Sequence, residues 1–141
     1  MRTINFRAMR NNGKWVIGNY VHHFISYFDT IERHSIFLSN SENENGGHWV
    51  EDIITKTIGQ FTGLYDKDGK EIYEGDILKW DKGRLYVVKF LDVMFYASVE
   101  ECNDGILGGF PLHRLTEYED GKCEIIGNIF DNPELLKGFV K

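Results

Sequence analysis

The sequence predicts a mainly β protein, a small barrel or sandwich of antiparallel strands with one or two short helices. Short apolar runs recur about every ten residues, separated by Gly, Asp and Asn, the residues that favour turns. No long segment keeps a helical period, which argues against parallel α/β folds and most nucleotide-binding architectures. The 141 residues are 42% apolar and 14% aromatic, enough for a core without a disulfide or a metal.

The N-terminal part predicts a β-hairpin. Ile4, Phe6 and Ala8 alternate with polar residues, which indicates a strand with one buried face. The pair Asn12-Gly13 follows, and Asn-Gly supplies the positive φ angles of a tight turn. Residues 3–9 and 14–21 are therefore expected to pair.

The next segment is less regular. Residues 24–28 and 35–38 are apolar but show no clean period. Residues 39–47 are the most polar stretch of the chain and predict a loop, the best candidate boundary inside the sequence. Residues 49–57 fit either a short helix or a strand, since their Ile spacing favours a helix and Thr55 and Thr57 favour a strand.

The second half has regular turn signals. Turns are predicted at 66–70, 74–76 and 81–83, and strands at 77–80, 85–91, 94–99 and 123–130. Asn132 and Pro133 predict the N-cap and first position of a helical turn that ends at Gly138.

The charge is unevenly distributed. Sixteen basic and 22 acidic side chains give a net charge of −6, and residues 71–141 hold eight basic and 14 acidic ones. A net acidic domain binds nucleic acid poorly. However, the first 14 residues carry four bases and no acid, so Arg2, Arg7, Arg10 and Lys14, with Trp15, form a candidate nucleic-acid strip. The simpler interpretation is that these charges solvate one face of the hairpin.

Export and membrane insertion are not expected. The longest apolar run, 93–97, is far shorter than the roughly 20 residues of a spanning helix, and the N-terminus has no apolar signal region. Cys102 and Cys123 are therefore expected as free thiols in a reducing cytosol, with Cys123 buried and inert.

No metal or cofactor site is predicted. The start of a calcium loop at Asp66 fails because Lys70 and Glu71 stand where an oxygen ligand and Gly are needed. The histidines have no helical zinc spacing, and His22 and His23 should point to opposite faces of a strand. The full set is His22, His23, His34, His48 and His113.

No catalytic residue is predicted either, because P-loop, GxGxxG and GxSxG motifs are all missing from the sequence. A Cys–His pair between His113 and a cysteine would need a contact that sequence distance cannot show.

Three segments carry a family resemblance. They read INFRAM (4–9), TIGQFTGLYDKDGKEIYEGDIL (57–78) and IGNIFDNPELL (126–136). Together they resemble the YopX family of phage and prophage proteins, with Met9 where the family usually has Trp. The resemblance implies one domain over 1–141, with a finer division into an N-terminal β part (1–56) and a barrel-like part with the helical turn (57–141).

The resemblance also implies a protein of the bacterial host cytoplasm, an SH3-like barrel with extra strands, and a homo-oligomer. It brings no activity. The matching residues fit turns, caps and core rather than a reactive site. They are Gly59, Gly63, Gly69, Gly75 and Gly127 as turns or bulges, Asp66, Asp76 and Asn132 as caps, and Ile72, Ile77, Leu135 and Leu136 as core.

Three functional hypotheses follow, in order of preference. The first is a non-enzymatic accessory protein that binds a host or phage protein through a sheet edge or an oligomer surface. The second is a small nucleic-acid-binding barrel that uses the basic strip. The third is an enzyme with an unrecognised site around His113 or Cys102.

Overall fold

The computed structural model describes residues 1–26, 30–38, 46–80, 83–91, 93–98, 109–117 and 123–137. The chain forms two compact units, Met1–Gln60 and Phe61–Lys141. The boundary between the units, 60/61, lies four residues after the 56/57 boundary expected from the sequence. It falls within a single strand, Ile53–Tyr65.

The first unit is an antiparallel sheet. Its strands are β1 (Phe6–Arg10), β2 (Trp15–Ser26), β3 (Thr30–Leu38), β4 (His48–Val50) and β5 (Ile53–Tyr65), the last of which continues into the second unit. Their order in the sheet is β4-β3-β2-β1-β5.

The predicted N-terminal hairpin is confirmed. β1 and β2 pair antiparallel, from Phe6 opposite Gly18 to Met9 opposite Trp15. Gly13 has a φ of +82°, and the side-chain oxygen of Asn12 accepts the N–H of Lys14 at 3.0 Å. The ambiguous segment 49–57 is strand on both sides of a short break, as β4 and β5. Its Thr57 hydroxyl accepts the N–H of Met9 at 2.8 Å, where the β1–β5 register shifts.

A small apolar core stabilises the first unit. Ala8 and Ile36 are fully buried, and Val50 and Ile53 pack with them. Gly18 permits close approach of the neighbouring strand, because a Cβ there would lie 2.2 Å from the carbonyl oxygen of Phe37. Burial of one such aliphatic side chain contributes about 1.5–3 kcal/mol.

The second unit contains the remaining elements. They are β6 (Glu71–Tyr73), β7 (Asp76–Lys79), β8 (Leu85–Leu91), β9 (Met94–Ser98), β10 (Gly109–Pro111), α1 (His113–Glu117), β11 (Glu124–Asn128) and α2 (Glu134–Lys137). The end of β5 pairs with β6, and a five-stranded antiparallel sheet has the order β10-β9-β8-β7-β11.

The mainly β class with antiparallel sheets and short helices is confirmed. Both strand orders are linear, so the described residues form no closed barrel, and the SH3-like detail stays a prediction. Helices α1 and α2 are far too short and too polar to cross a bilayer, and the described part of the chain holds no longer helix.

The second unit has its own core, from strands β6 to β11 and α1. Its buried members are Ile72, Leu78, Tyr86, Val88, Ala97, Leu112, Leu115 and Cys123. Cys123 is a free, buried thiol, and burial raises its pKa. The prediction that Cys123 is buried is confirmed, and its raised pKa disfavours the reactive thiolate, while its inertness stays a prediction. Cys102 lies outside the described residues.

The Asp66 carboxylate organises the turn after β5. Asp66 is 7% exposed, and its Oδ1 accepts the N–H groups of Asp68 and Lys70, both at 2.9 Å. Its Oδ2 accepts the N–H of Ile125, 59 residues away, at 3.2 Å. Burial alone would raise the pKa of Asp66, but these backbone donors favour the charged form and lower its pKa.

The other predicted capping groups also bind backbone. Asp76 is buried and accepts the N–H of Tyr73 at 2.8 Å. Asn132 accepts the N–H of Asn128 at 3.3 Å with its side chain, while its carbonyl oxygen accepts the N–H of Leu135 at 3.1 Å. The side-chain oxygen of Asn132 therefore faces β11, while its amide donates to the Glu134 side chain of α2 at 3.4 Å. A Cβ at Gly127 would lie 2.4 Å from the Oδ1 atom of Asn132.

The signature glycines occupy turns and bulges, as predicted. Gly63, Gly69 and Gly75 have positive φ angles, and Gly59 and Gly127 lie beside register shifts. Ile72 and Ile77 are core residues, as expected.

The prediction of Leu135 and Leu136 as core is wrong. Both are only partly buried, because α2 is a single four-residue turn that buries no side chain completely.

Several predicted elements fall wholly or partly outside the described residues. They are the loop 39–47 (described only from 46), the end of 24–28, the turn 81–83 (described only at 83), the end of strand 94–99, and Gly138.

We expect Asp66→Asn to lower the free energy of unfolding by about 2–3 kcal/mol at pH 7, because the new amide NH₂ leaves a buried N–H without its charged acceptor. The folded-state pKa of Asp66 is lowered, so its stabilisation is present above the unfolded pKa of about 3.9 and is lost as pH falls through the lower folded value. Urea unfolding at several pH values measures both effects.

Asp68→Asn is the matched control, since Asp68 is exposed in the same turn. It should leave stability within about 0.5 kcal/mol of the parent. Equal effects of the two substitutions would contradict the role of the Asp66 carboxylate.

Candidate functional site

The β2–β3 hairpin gathers four polar side chains on one face. His22 lies directly opposite His34, and Tyr20 and Glu32 are the diagonal neighbours along the same face. The alternation of side chains along each strand therefore places all four together. We refer to Tyr20, His22, Glu32 and His34 as the imidazole cluster.

The imidazole cluster converges on one carboxylate oxygen. Nε2 of His22 lies 2.7 Å from Oε1 of Glu32, and Nε2 of His34 lies 3.3 Å from the same atom. The two rings stack with centroids 4.4 Å apart and an interplanar angle of 9°. On the other side of the His34 ring, Nδ1 lies 2.6 Å from the hydroxyl of Tyr20.

Tyr20 supports the cluster from the apolar side. Its ring packs at 5.3 Å from the ring of Phe6 and borders the core of the first unit. Burial raises the pKa of Tyr20, and the negative charge of Glu32 raises it further. The hydroxyl is therefore neutral at physiological pH and is available as a hydrogen-bond partner for His34.

Sequence spacing did not reveal this cluster. His22 and His34 are separated by 12 positions and belong to two strands, so no i, i+4 pattern exists. The signal that would have found them is the register of the hairpin, which pairs these two residues. His23, next to His22 in sequence, is opposite Arg33 and belongs to the other face by strand alternation.

The structure does not assemble the other histidines with this group. His48 lies on β4 and His113 begins α1, and both are exposed. The enzyme hypothesis needs a cysteine close to a histidine. Cys102 lies outside the described residues, and Cys123 is buried, which raises the pKa of its thiol. A raised pKa is the opposite of what a nucleophilic thiol needs.

The predicted basic strip separates into parts. Arg7 and Trp15 share a face, with the guanidinium 4.8 Å from the centroid of the Trp15 ring. Arg10 instead binds Asp52, with Nε 3.0 and 3.1 Å from the two carboxylate oxygens. The hydrogen bond from Arg10 lowers the pKa of Asp52, so the charge of Arg10 is matched by a permanent carboxylate.

The other two basic residues of the predicted strip are both exposed. Arg2 precedes β1, and Lys14 lies in the turn between β1 and β2.

A second notable surface is the end of the β8–β9 hairpin. Phe90, Leu91 and Met94 are between 40% and 46% exposed, and Val93 is 88% exposed. Leu91 pairs with Met94, so only residues 92 and 93 connect the strands. We refer to Phe90, Leu91, Val93 and Met94 as the β8–β9 tip.

Val93 has a strained backbone. Its φ is +69°, the left-handed region, and it is the one non-glycine residue with positive φ in the described ranges. A β-branched residue in this conformation costs about 1–2 kcal/mol. Two-residue hairpin connections normally place Gly or Asn at such positions.

Comparison with known proteins supports the sequence resemblance. The profile of the family described as YopX protein matches residues 5–137, nearly the whole chain. This chain belongs to the YopX protein family. The match extends over nearly the whole chain, as the three dispersed motifs predicted.

A solved structure shares the fold of this YopX chain. The crystal structure of protein EF1440 from Enterococcus faecalis superposes with a TM-score of 0.59 at 23% sequence identity, over 96% of this chain and 99% of that one. A search of curated proteins gives no match.

We expect no retardation of single-stranded DNA at low salt, because Arg10 is neutralised by Asp52 and the net charge is −6. A gel-shift titration with an oligonucleotide at two salt concentrations measures this. Salt-dependent binding of the oligonucleotide would contradict the expectation. The nucleic-acid hypothesis would be favoured if Arg7→Ala weakened that binding and the control Arg33→Ala on β3 left it unchanged.

Proposed function

We propose that the chain is a non-enzymatic protein-binding module that inserts the β8–β9 tip into an apolar groove on a different protein. The observation that carries the proposal is Val93, which is both strained and 88% exposed. Neither property helps the isolated chain. Strain of this kind concentrates at binding sites and is retained where the surrounding structure holds it.

The β8–β9 tip is connected to the core of the second unit through an aromatic contact. Its residue Phe90 lies opposite Phe95 with ring centroids 4.9 Å apart, and Phe95 packs against the core of the second unit. This contact and the pairing of Leu91 with Met94 hold the base of the tip, which reduces what a partner has to order on binding. Such preorganisation reduces the entropy cost of association.

Charge favours a different protein over a second copy as the occupant. All of the negative excess lies in residues 71–141, which hold 14 acidic and eight basic side chains. Two copies that meet through this half would repel each other. The fitting partner has an apolar groove with a neutral or basic rim, because charge complementarity speeds association and selects the partner.

The non-enzymatic part of the proposal is supported by the roles of the buried acids. Asp66 and Asp76 accept backbone hydrogen bonds and hold turns. As part of the same proposal, membership of the YopX family supports an origin in a phage or prophage and a role in the cytoplasm of the bacterial host.

We expect Val93→Gly to raise the free energy of unfolding by about 1 kcal/mol, because Gly adopts the left-handed conformation without strain. We expect the same substitution to weaken partner binding at least tenfold, because it removes the most exposed apolar side chain of the tip. Urea unfolding gives the first quantity. Capture from a host lysate, followed by titration of the purified partner, gives the second.

Ile17→Ser is the matched control, since Ile17 is a β-branched residue that is 49% exposed in the first unit. It should leave partner binding unchanged, while Leu91→Ser in the tip should weaken it. Equal binding by the parent and Val93→Gly would contradict the proposal. The proposal would also be contradicted if sedimentation showed that the parent chain is a dimer and that Val93→Gly dissociates it. The tip would then bind a second copy of the chain.

A further inference from the structure

We infer that His22, Glu32 and His34 bind a divalent transition-metal ion, with Zn²⁺ as the best fit. This inference is independent of the function proposed for the β8–β9 tip. It rests on the β2–β3 hairpin, which brings one ligand atom from each side chain to within 4.8 Å of the others.

The donor set determines the class of metal. Two imidazole nitrogens and one carboxylate oxygen suit Zn²⁺ and its transition-metal neighbours, while Mg²⁺ and Ca²⁺ prefer oxygen ligands alone. Two His and one Glu form a known three-residue zinc set that leaves a fourth position for solvent. His22 and Glu32 are partly exposed, at 33% and 54%, so an ion can enter directly from water.

The three ligand atoms lie within 4.8 Å of one another, and an ion binds all of them only if the two stacked rings tilt so that both Nε2 lone pairs point at it. With metal–ligand bonds of about 2.0–2.2 Å, a tetrahedral ion holds its ligand atoms roughly 3.3–3.6 Å apart. The 3.3 Å between His34 Nε2 and Glu32 Oε1 already matches this spacing. The 2.7 Å between His22 Nε2 and the same oxygen must open slightly, and both side chains are exposed enough to rotate.

Tyr20 supplies the outer partner that ligating histidines normally have. A metal-bound imidazole usually donates its second N–H to an oxygen atom, which fixes the ring and the tautomer. The Tyr20 hydroxyl lies 2.6 Å from Nδ1 of His34 and can accept that bond, which directs the lone pair of Nε2 toward Glu32. Tyr20 is thus a positioning residue rather than a ligand.

The hairpin holds the ligands in a defined register. His22 and His34 are cross-strand partners in the middle of a ladder that runs from Asn19–Phe37 to Ser26–Thr30. Rigid strands position ligands more accurately than loops. A bound ion would cross-link β2 and β3 and stabilise the first unit by an amount that grows with the logarithm of its concentration above Kd.

The test uses the full chain without an affinity tag, freed of metal with a chelator and titrated with Zn²⁺ in a calorimeter. We expect one equivalent to bind with micromolar affinity, and Mg²⁺ not to bind. His22→Ala, His34→Ala and Glu32→Gln should each weaken Zn²⁺ binding by well over tenfold, and Tyr20→Phe by about tenfold. His23→Ala is the matched control and should change the affinity less than about twofold, because His23 belongs to the opposite face.

Imidazole ¹⁵N spectra of the unaltered chain provide a readout that does not depend on any variant folding. Zn²⁺ should convert His34 to the tautomer with the proton on Nδ1 and the metal on Nε2. Absence of Zn²⁺ binding by the parent chain would overturn the inference. It would also be overturned if His23→Ala weakened binding as much as His22→Ala, or if the His34 resonances did not change when Zn²⁺ bound.

Discussion

The carboxylate of Asp66 is the constraint on which the second unit depends. A buried charge is costly unless it is fully hydrogen-bonded, and here three backbone N–H groups satisfy it. Two of them close the turn at 66–70, and the third belongs to β11, at the other end of the unit in sequence. Because β11 is an edge strand that pairs with β7, this bond also fixes where the sheet ends. The YopX signature around Asp66 therefore encodes a structural junction.

Strand pairing also determines the geometry of the two surfaces to which we assign roles, the β8–β9 tip and the imidazole cluster. The β8–β9 ladder is paired from Val87–Ser98 to Leu91–Met94, so the strands force the two-residue connection on Val93. In the first unit, the pairing of β2 and β3 forces two imidazoles into a stack beside one carboxylate. In both places backbone hydrogen bonds stabilise an arrangement that the side chains alone would not favour. The two surfaces lie in different units, so each depends on a different set of residues.

The sequence predicted the local structure better than the functional surfaces. Asn12-Gly13 and the bonds of Asp66 within the turn 66–70 act over a few residues, and such turn geometry is readable from residue type. The bond from Asp66 to Ile125 spans 59 residues and could not be predicted in that way. The imidazole cluster depends on strand register across 12 positions, in a segment without a clean period. The strain at Val93 was equally hidden, because the predicted strands 85–91 and 94–99 leave residue 93 in the connection but its type does not reveal a positive φ there. Leu135 and Leu136 have core-like composition, but the helix is too short to bury them.

The most direct test of this account is native-state hydrogen exchange of the amides that bind Asp66. If its carboxylate joins the turn to β11, the amides of Lys70 and Ile125 exchange only when the second unit unfolds. Their opening free energies should then equal those of hydrogen-bonded amides in the core strand β8. Exchange of these two amides at the rate of exposed turn amides, while β8 stays protected, would contradict the account.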